Sequence, residues 1–186
     1  GLEQLAPMQS EEGRANVNYL MLLANGDLAG VIELLQAHVQ DDLWSGGRDF
    51  ILATTWLALG DAKRARPYLD ATIVALSTRQ DDASAIAEGA VALELLGHSS
   101  DAIQAADRAV ALRPERTDAI NGTWIAMLRA WVLIHSKARA EEGYRELDRL
   151  LGSIDLQPRW VAASPHWLLL RDDARAQQII RNKFPK

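Results

Sequence analysis

Turn signals recur at nearly one interval along this chain of 186 residues. Gly26, Gly60 and Gly97 lie 34 and 37 residues apart, and a weaker turn near His135 follows 38 residues later. Each glycine is followed closely by an Asp or a Ser: Asp27, Asp61, and Ser99-Ser100-Asp101. Glycine suits the left-handed residue that ends one helix, and Asp or Ser suits the position that opens the next. Between the turns, apolar residues fall on one face of a helix: Leu52, Ala53, Trp56 and Leu57; Ala90, Leu93 and Leu96; Trp124, Met127, Leu128 and Trp131. No sustained period-2 alternation competes with this pattern. The expected fold class is all-α, an α-α superhelix of hairpins.

The stretches around the turns superpose. Ala53 and Ala90 each stand seven residues ahead of their glycine, and Ala65 and Ala102 follow shortly after. Two helices of a hairpin approach closely only where one presents a small side chain to the other's ridge. Larger residues such as Trp56, Leu69 and Leu93 then fill the space between hairpins. One hairpin cannot cover its own apolar face, so successive hairpins must stack. Pro67 falls inside the second copy's second helix, where a missing backbone donor predicts a kink or a delayed start.

These copies resemble the tetratricopeptide repeat family, whose pattern runs Trp-x2-Leu-Gly-x2-Tyr, then Ala-x3-Phe, Ala and Pro. The third copy matches best, with Ala90, Leu93, Gly97, Ala102, Ala109 and Pro114. The second offers Leu52, Ala53, Trp56, Gly60, Ala65 and Leu69, and the fourth Trp124, Met127, Leu128, Trp131, Ala140 and Tyr144. The first, with Tyr19, Leu22, Gly26, Val31 and Leu35, is degenerate. The expected organisation is an N-terminal extension over 1–13, four hairpins over 14–151 and a capping segment with its own helices over 152–186.

In that last part, Ser164-Pro165 reads as a helix cap followed by proline in the first turn. A last helix opens at Asp172 or Asp173 and turns Ala176, Ile179 and Ile180 inward. The run from Trp167 to Ile180 resembles the terminal segment that follows repeat arrays in bacterial multidomain regulators. That resemblance implies the C-terminal module of a longer protein, such as a transcription factor, cyclase or kinase. A first residue of Gly1 rather than Met fits a processed or excised piece.

Composition narrows the chemistry. A net charge of −5 gives no field for a phosphate backbone, so nucleic acid is not an expected partner. There is no cysteine, hence no disulfide framework, zinc ribbon or thiol nucleophile. The longest charge-free apolar stretch, Phe50–Gly60, is too short to span a bilayer, and Gly1–Ser10 has no secretion-signal pattern. The location is therefore expected to be cytoplasmic or periplasmic, without direct membrane insertion. His38, His98, His135 and His166 are scattered and read as surface or turn residues. Paired carboxylates at Glu11-Glu12, Asp41-Asp42, Asp81-Asp82, Glu141-Glu142 and Asp172-Asp173 read as solvated helix starts. No nucleotide, metal or nucleophile motif is present. The chain is read as non-enzymatic, with no cofactor.

What remains is the groove. In the repeat family the first helix of each hairpin lines a concave face along which peptides lie. Carrying that register over gives Asn16 and Leu20, then Phe50, Thr54 and Leu57, then Val91 and Glu94, then Arg129. The family's carboxylate clamp is matched only at Asn16. The expected partner is a protein or an apolar peptide oriented by Glu94 and Arg129. The competing readings are an array that packs against its own terminal helix or a neighbouring domain, a small-ligand sensor domain of a larger regulator, an enzyme, and self-association. Six tryptophans are many for this length; Trp56, Trp124 and Trp131 read as packing, while Trp44 and Trp160 read as loop staples or exposed anchors.

Overall fold

The computed structural model describes residues 11–37, 47–153 and 164–183, the side chains of 11–14, 16 and 153 excepted. Among these residues there are ten helices and no strand. Eight form four hairpins: α1 Glu11–Ala24 with α2 Leu28–Ala37, α3 Arg48–Ala58 with α4 Ala62–Thr78, α5 Ala83–Leu95 with α6 Ser99–Leu112, and α7 Asn121–His135 with α8 Ala140–Ser153. Two more follow, α9 Pro165–Leu168 and α10 Ala174–Lys183. Among the described residues no helix is long and apolar enough to cross a membrane.

The turns are built as the sequence dictates. Gly26, Gly60 and Gly97 take φ of +70°, +83° and +86°. Each closes the same pair of bonds onto the helix before it. The amides of Gly97 and His98 donate to Glu94 and Leu93, at 3.0 and 2.9 Å, and those of Gly60 and Asp61 to Leu57 and Trp56, both at 2.9 Å. The turn of the fourth hairpin has no glycine, and Lys137 takes the left-handed conformation there at φ 60°. Asp side chains open several of the helices that follow, though not α6, where His98 holds the N-cap with no side-chain bond. Asp61 accepts from the Arg64 amide, Asp82 from Ser84 and Ala85, and Asp173 from Ala176.

Pro67 neither delays nor divides α4, which begins at Ala62 and runs through it. The lost donor falls on an exposed face, so the Lys63 carbonyl that an amide at position 67 would have met is left on the solvent side.

Small residues hold each pair together. Ala53, Ala65, Ala90, Ala102 and Ala109 are fully buried, and Ala106 nearly so. Gly143 does the same in the fourth pair: a Cβ there would sit 2.9 Å from the Ala130 carbonyl oxygen on α7. Successive hairpins stack through their first helices, α3 on α5 and α5 on α7, with α4 against α5 and α6 against α7. We call the face on which α3, α5 and α7 line up the inner face. At its edge, Glu88 of α5 reaches across to the free amide of Gly47 at the start of α3, with both oxygens at 3.0 Å. A carboxylate on that positive helix end ties the second hairpin to the third.

The chain then doubles back. Helix α10 packs on α8 and buries Ala176 and Ile180, covering the last hairpin. Helix α9 instead packs on α3, two hairpins away.

Candidate functional site

The inner face is built from side chains one or two helical turns apart. Helix α3 contributes Phe50 and Thr54, α5 contributes Val91 and Glu94, and α7 contributes Trp124, Trp131 and His135. Phe50 is 2% exposed and Thr54 and Val91 are fully buried. Thr54 meets its own needs, its hydroxyl donating to the Phe50 carbonyl at 2.9 Å.

The Pro165–Leu170 segment lies over this face. His166 enters an aromatic cluster, with ring centroids 5.6 Å from Phe50, 5.1 Å and edge-on from Trp124, and 6.0 Å from Trp167. The Trp131 indole donates to the His166 carbonyl at 2.7 Å. Complete burial depresses the His166 imidazole from 6.5 to about 3, so the ring is neutral. Further along, the Arg171 guanidinium lies 3.5 Å from the Ala58 carbonyl at the end of α3. Trp131 is itself braced: His135 stacks on it at 4.7 Å, and His135 Nδ1 meets Glu94 Oε1 at 2.9 Å. Glu94 is 6% exposed. A buried carboxylate on α5 thus orients an imidazole on α7, which backs the indole that grips the segment.

Several sequence expectations need correction here. The face is covered by the chain's own Pro165–Leu170 segment, the competing outcome to an open groove. Phe50, Thr54, Val91 and Glu94 belong to it but are buried, while Leu57 and Leu20 are half-buried. The side chain of Asn16 lies outside the described residues, as do His38, Asp41, Asp42, Trp44 and Trp160. His166 is buried, not a surface histidine, and His135 is paired. Glu88 and Glu94 are buried carboxylates, unlike the solvated helix starts.

Arg129 is not on this face at all. It stands about 200° around α7 from Trp131, two residues on at 3.6 per turn. There it joins three helices, reaching Asp107 of α6 at 2.6 Å, Glu142 of α8 at 2.5 Å, and Glu146 of α8. Arg139 adds bonds to Asp107 and Glu142, both at 2.7 Å. The Arg129 hydrogen bond holds the Glu142 carboxyl below its ordinary range. Burial pushes the Asp107 carboxyl up, but its bonds to Arg139 and Arg129 outweigh that and leave it lowered. Burial leaves Glu146 raised despite the same partner. The Arg129 side chain is only 12% exposed, so the cluster is a clamp between helices. Arg129→Met is expected to cost about 2 kcal/mol in urea unfolding, less than a fully buried pair would, and to raise the Glu142 carboxyl in an NMR titration.

Outside the inner face, an open hollow of about 560 Å³ lies between Gln36, Trp56 and Tyr68, with the Arg64 guanidinium 4.7 Å above the Trp56 ring. Among the described residues no group of three or more His, Asp and Glu side chains is gathered to hold a metal ion. No protein-family model matches the chain, and no curated protein or solved structure matches it.

Proposed function

We propose that this chain is a tetratricopeptide-type interaction module that holds a stretch of polypeptide on its inner face. One observation carries the reading. The face already holds such a stretch, through an indole bond to the backbone carbonyl of His166 and an aromatic seat for its side chain. A bond to a backbone carbonyl grips any polypeptide, and a seat for one side chain selects among them. The buried alanines at the shared register, the left-handed glycines and the covering C-terminal helix support the repeat assignment. The same architecture fits the interaction domain of a larger regulator, the apolar seat accounting for a partner segment rather than a charged ligand.

The test uses a labelled peptide of residues Ser164–Asp173. His166→Ala empties the aromatic seat and loosens the chain's own segment. This variant is expected to bind the peptide saturably, and the unaltered chain at least about tenfold more weakly, because the tethered segment competes at a high effective concentration. If neither chain binds the peptide while both keep their helix content, the inner face is not a polypeptide site.

A further inference from the structure

His166 suits its seat in shape and not in polarity. Its ring centroid stands 5.1 Å from Trp124, 5.6 Å from Phe50 and 6.0 Å from Trp167. All three lie within the about 4.5–7 Å at which aromatic rings pair. The residue is 2% exposed, and its Nε2 is buried with no hydrogen-bond partner. Whichever tautomer the imidazole takes, that nitrogen is a donor or an acceptor left unmet. A buried polar atom without a partner carries a cost that an apolar atom in the same place does not. Trp124 Nε1 and Glu94 Oε2 are also unmet, but both belong to the array. They stand the same whichever ring fills the seat and cancel between occupants. Trp167 Nε1, on the segment, is likewise common to segments that differ only at position 166. The imidazole nitrogen does not cancel, because it arrives with the occupant.

A phenyl ring in the same place keeps the edge-on and tilted ring contacts and carries no polar atom. The Trp131 bond is indifferent to the change, since it goes to a main-chain oxygen that every residue has. We propose that the inner face is a site for a segment of another polypeptide that carries phenylalanine where this chain carries His166, and that Pro165–Leu170 holds the site as a weaker resident. This rests on the reading of the inner face as a polypeptide site. The resident closes the face less tightly than the seat allows. That deficit narrows the advantage that tethering gives it over a segment arriving from solution.

Three peptides test it: Ser164–Asp173 as it stands, and the same peptide with His166→Phe or with His166→Leu. Each is titrated against the chain carrying His166→Ala. The phenylalanine peptide is expected to bind about tenfold more tightly than the unaltered one. It is expected to exceed the leucine peptide, equally free of polar atoms but without a ring, by at least about threefold. A phenylalanine peptide that binds no better than the unaltered one overturns this proposal alone, as does a leucine peptide that matches it. Failure of all three, with helix content kept, overturns the polypeptide site itself. A measurement that needs no loosened chain uses His166→Phe in the otherwise unaltered protein. Amide exchange at Trp167 and Leu170 is expected to slow by about tenfold, whereas unchanged or faster exchange also overturns the proposal.

Discussion

Ala102→Trp is expected to unfold the array. Ala102 is fully buried in α6, on the side packed against α5, with Ala106 and Ala109 along the same stripe. Helices that meet through alanine sit near the close end of the 8–10 Å range, and an indole does not fit between them. Adding even one or two methylenes to a packed core costs about 1–3 kcal/mol. Nine extra ring atoms are expected to cost at least about 4 kcal/mol, a large part of the 5–15 kcal/mol that holds a domain of this kind folded. Urea unfolding followed by circular dichroism at 222 nm reads the loss directly. Ala111→Trp, at an exposed position of the same helix, is the control and is expected to stay within about 0.5 kcal/mol of the parent. A tryptophan at position 102 that melts like the parent would contradict the register of the hairpins.

Acid is expected to release the C-terminal segment before it melts the array. His166 titrates near 3 in its seat and near 6.5 when exposed. Between those values the open state binds a proton that the closed state does not. Closure is therefore fully favoured above pH 6.5 and weakens as pH falls, by about 1.4 kcal/mol per unit. From pH 6.5 to 4 the segment is expected to lose about 3 kcal/mol of closure. The groups around the ring, Phe50, Trp124, Trp167 and the Trp131 indole, carry no charge that offsets this. The clamp on the other side behaves differently. The Asp107 and Glu142 carboxyls are lowered in the fold, so their contribution is present above the ordinary carboxylate range and lost only as pH falls through their own values. Glu146 is raised and opposes them, contributing at low pH and losing that contribution as pH rises through its value. Amide exchange along Trp167–Leu170, followed from pH 7 to 4 with correction for intrinsic rates, is expected to quicken while α5 and α7 stay protected. His166→Gln is expected to flatten the profile, and a flat profile in the unaltered chain contradicts the buried neutral imidazole.

The hairpin order was legible because it is local. A glycine in the left-handed region and an alanine seven residues earlier are read within one turn and its flanks, and both hold at Gly60 and Gly97; the Asp cap holds after Gly60, while after Gly97 His98 takes the N-cap with no side-chain bond. The last helix was legible for the same reason, with Ala176 and Ile180 buried as their spacing predicts. Which segment covers the inner face was not, because the covering joins residues far apart in the chain. Phe50 meets His166 across more than a hundred residues, and no repeat pattern speaks to that pair. The run Pro165-His166-Trp167-Leu168-Leu169-Leu170 carried a signal, since it is more apolar than a cap on one hairpin requires. Arg129 was placed by the family register alone; the structure puts Trp131 on the inner face, and the angle between the two puts Arg129 on the opposite side of α7. The Glu94–His135 pair spans 41 residues and joins two first helices, which spacing within one repeat cannot reveal.

The covered inner face is tested most directly by proton–proton contacts in solution. With selective labelling of His166 and Phe50, nuclear Overhauser cross-peaks are predicted between the imidazole protons and the rings of Phe50 and Trp124, together with a slowly exchanging Trp131 indole proton bonded to the His166 carbonyl. A solvent-exposed imidazole titrating near 6.5, with no cross-peak to either ring, would show an open face and contradict the account.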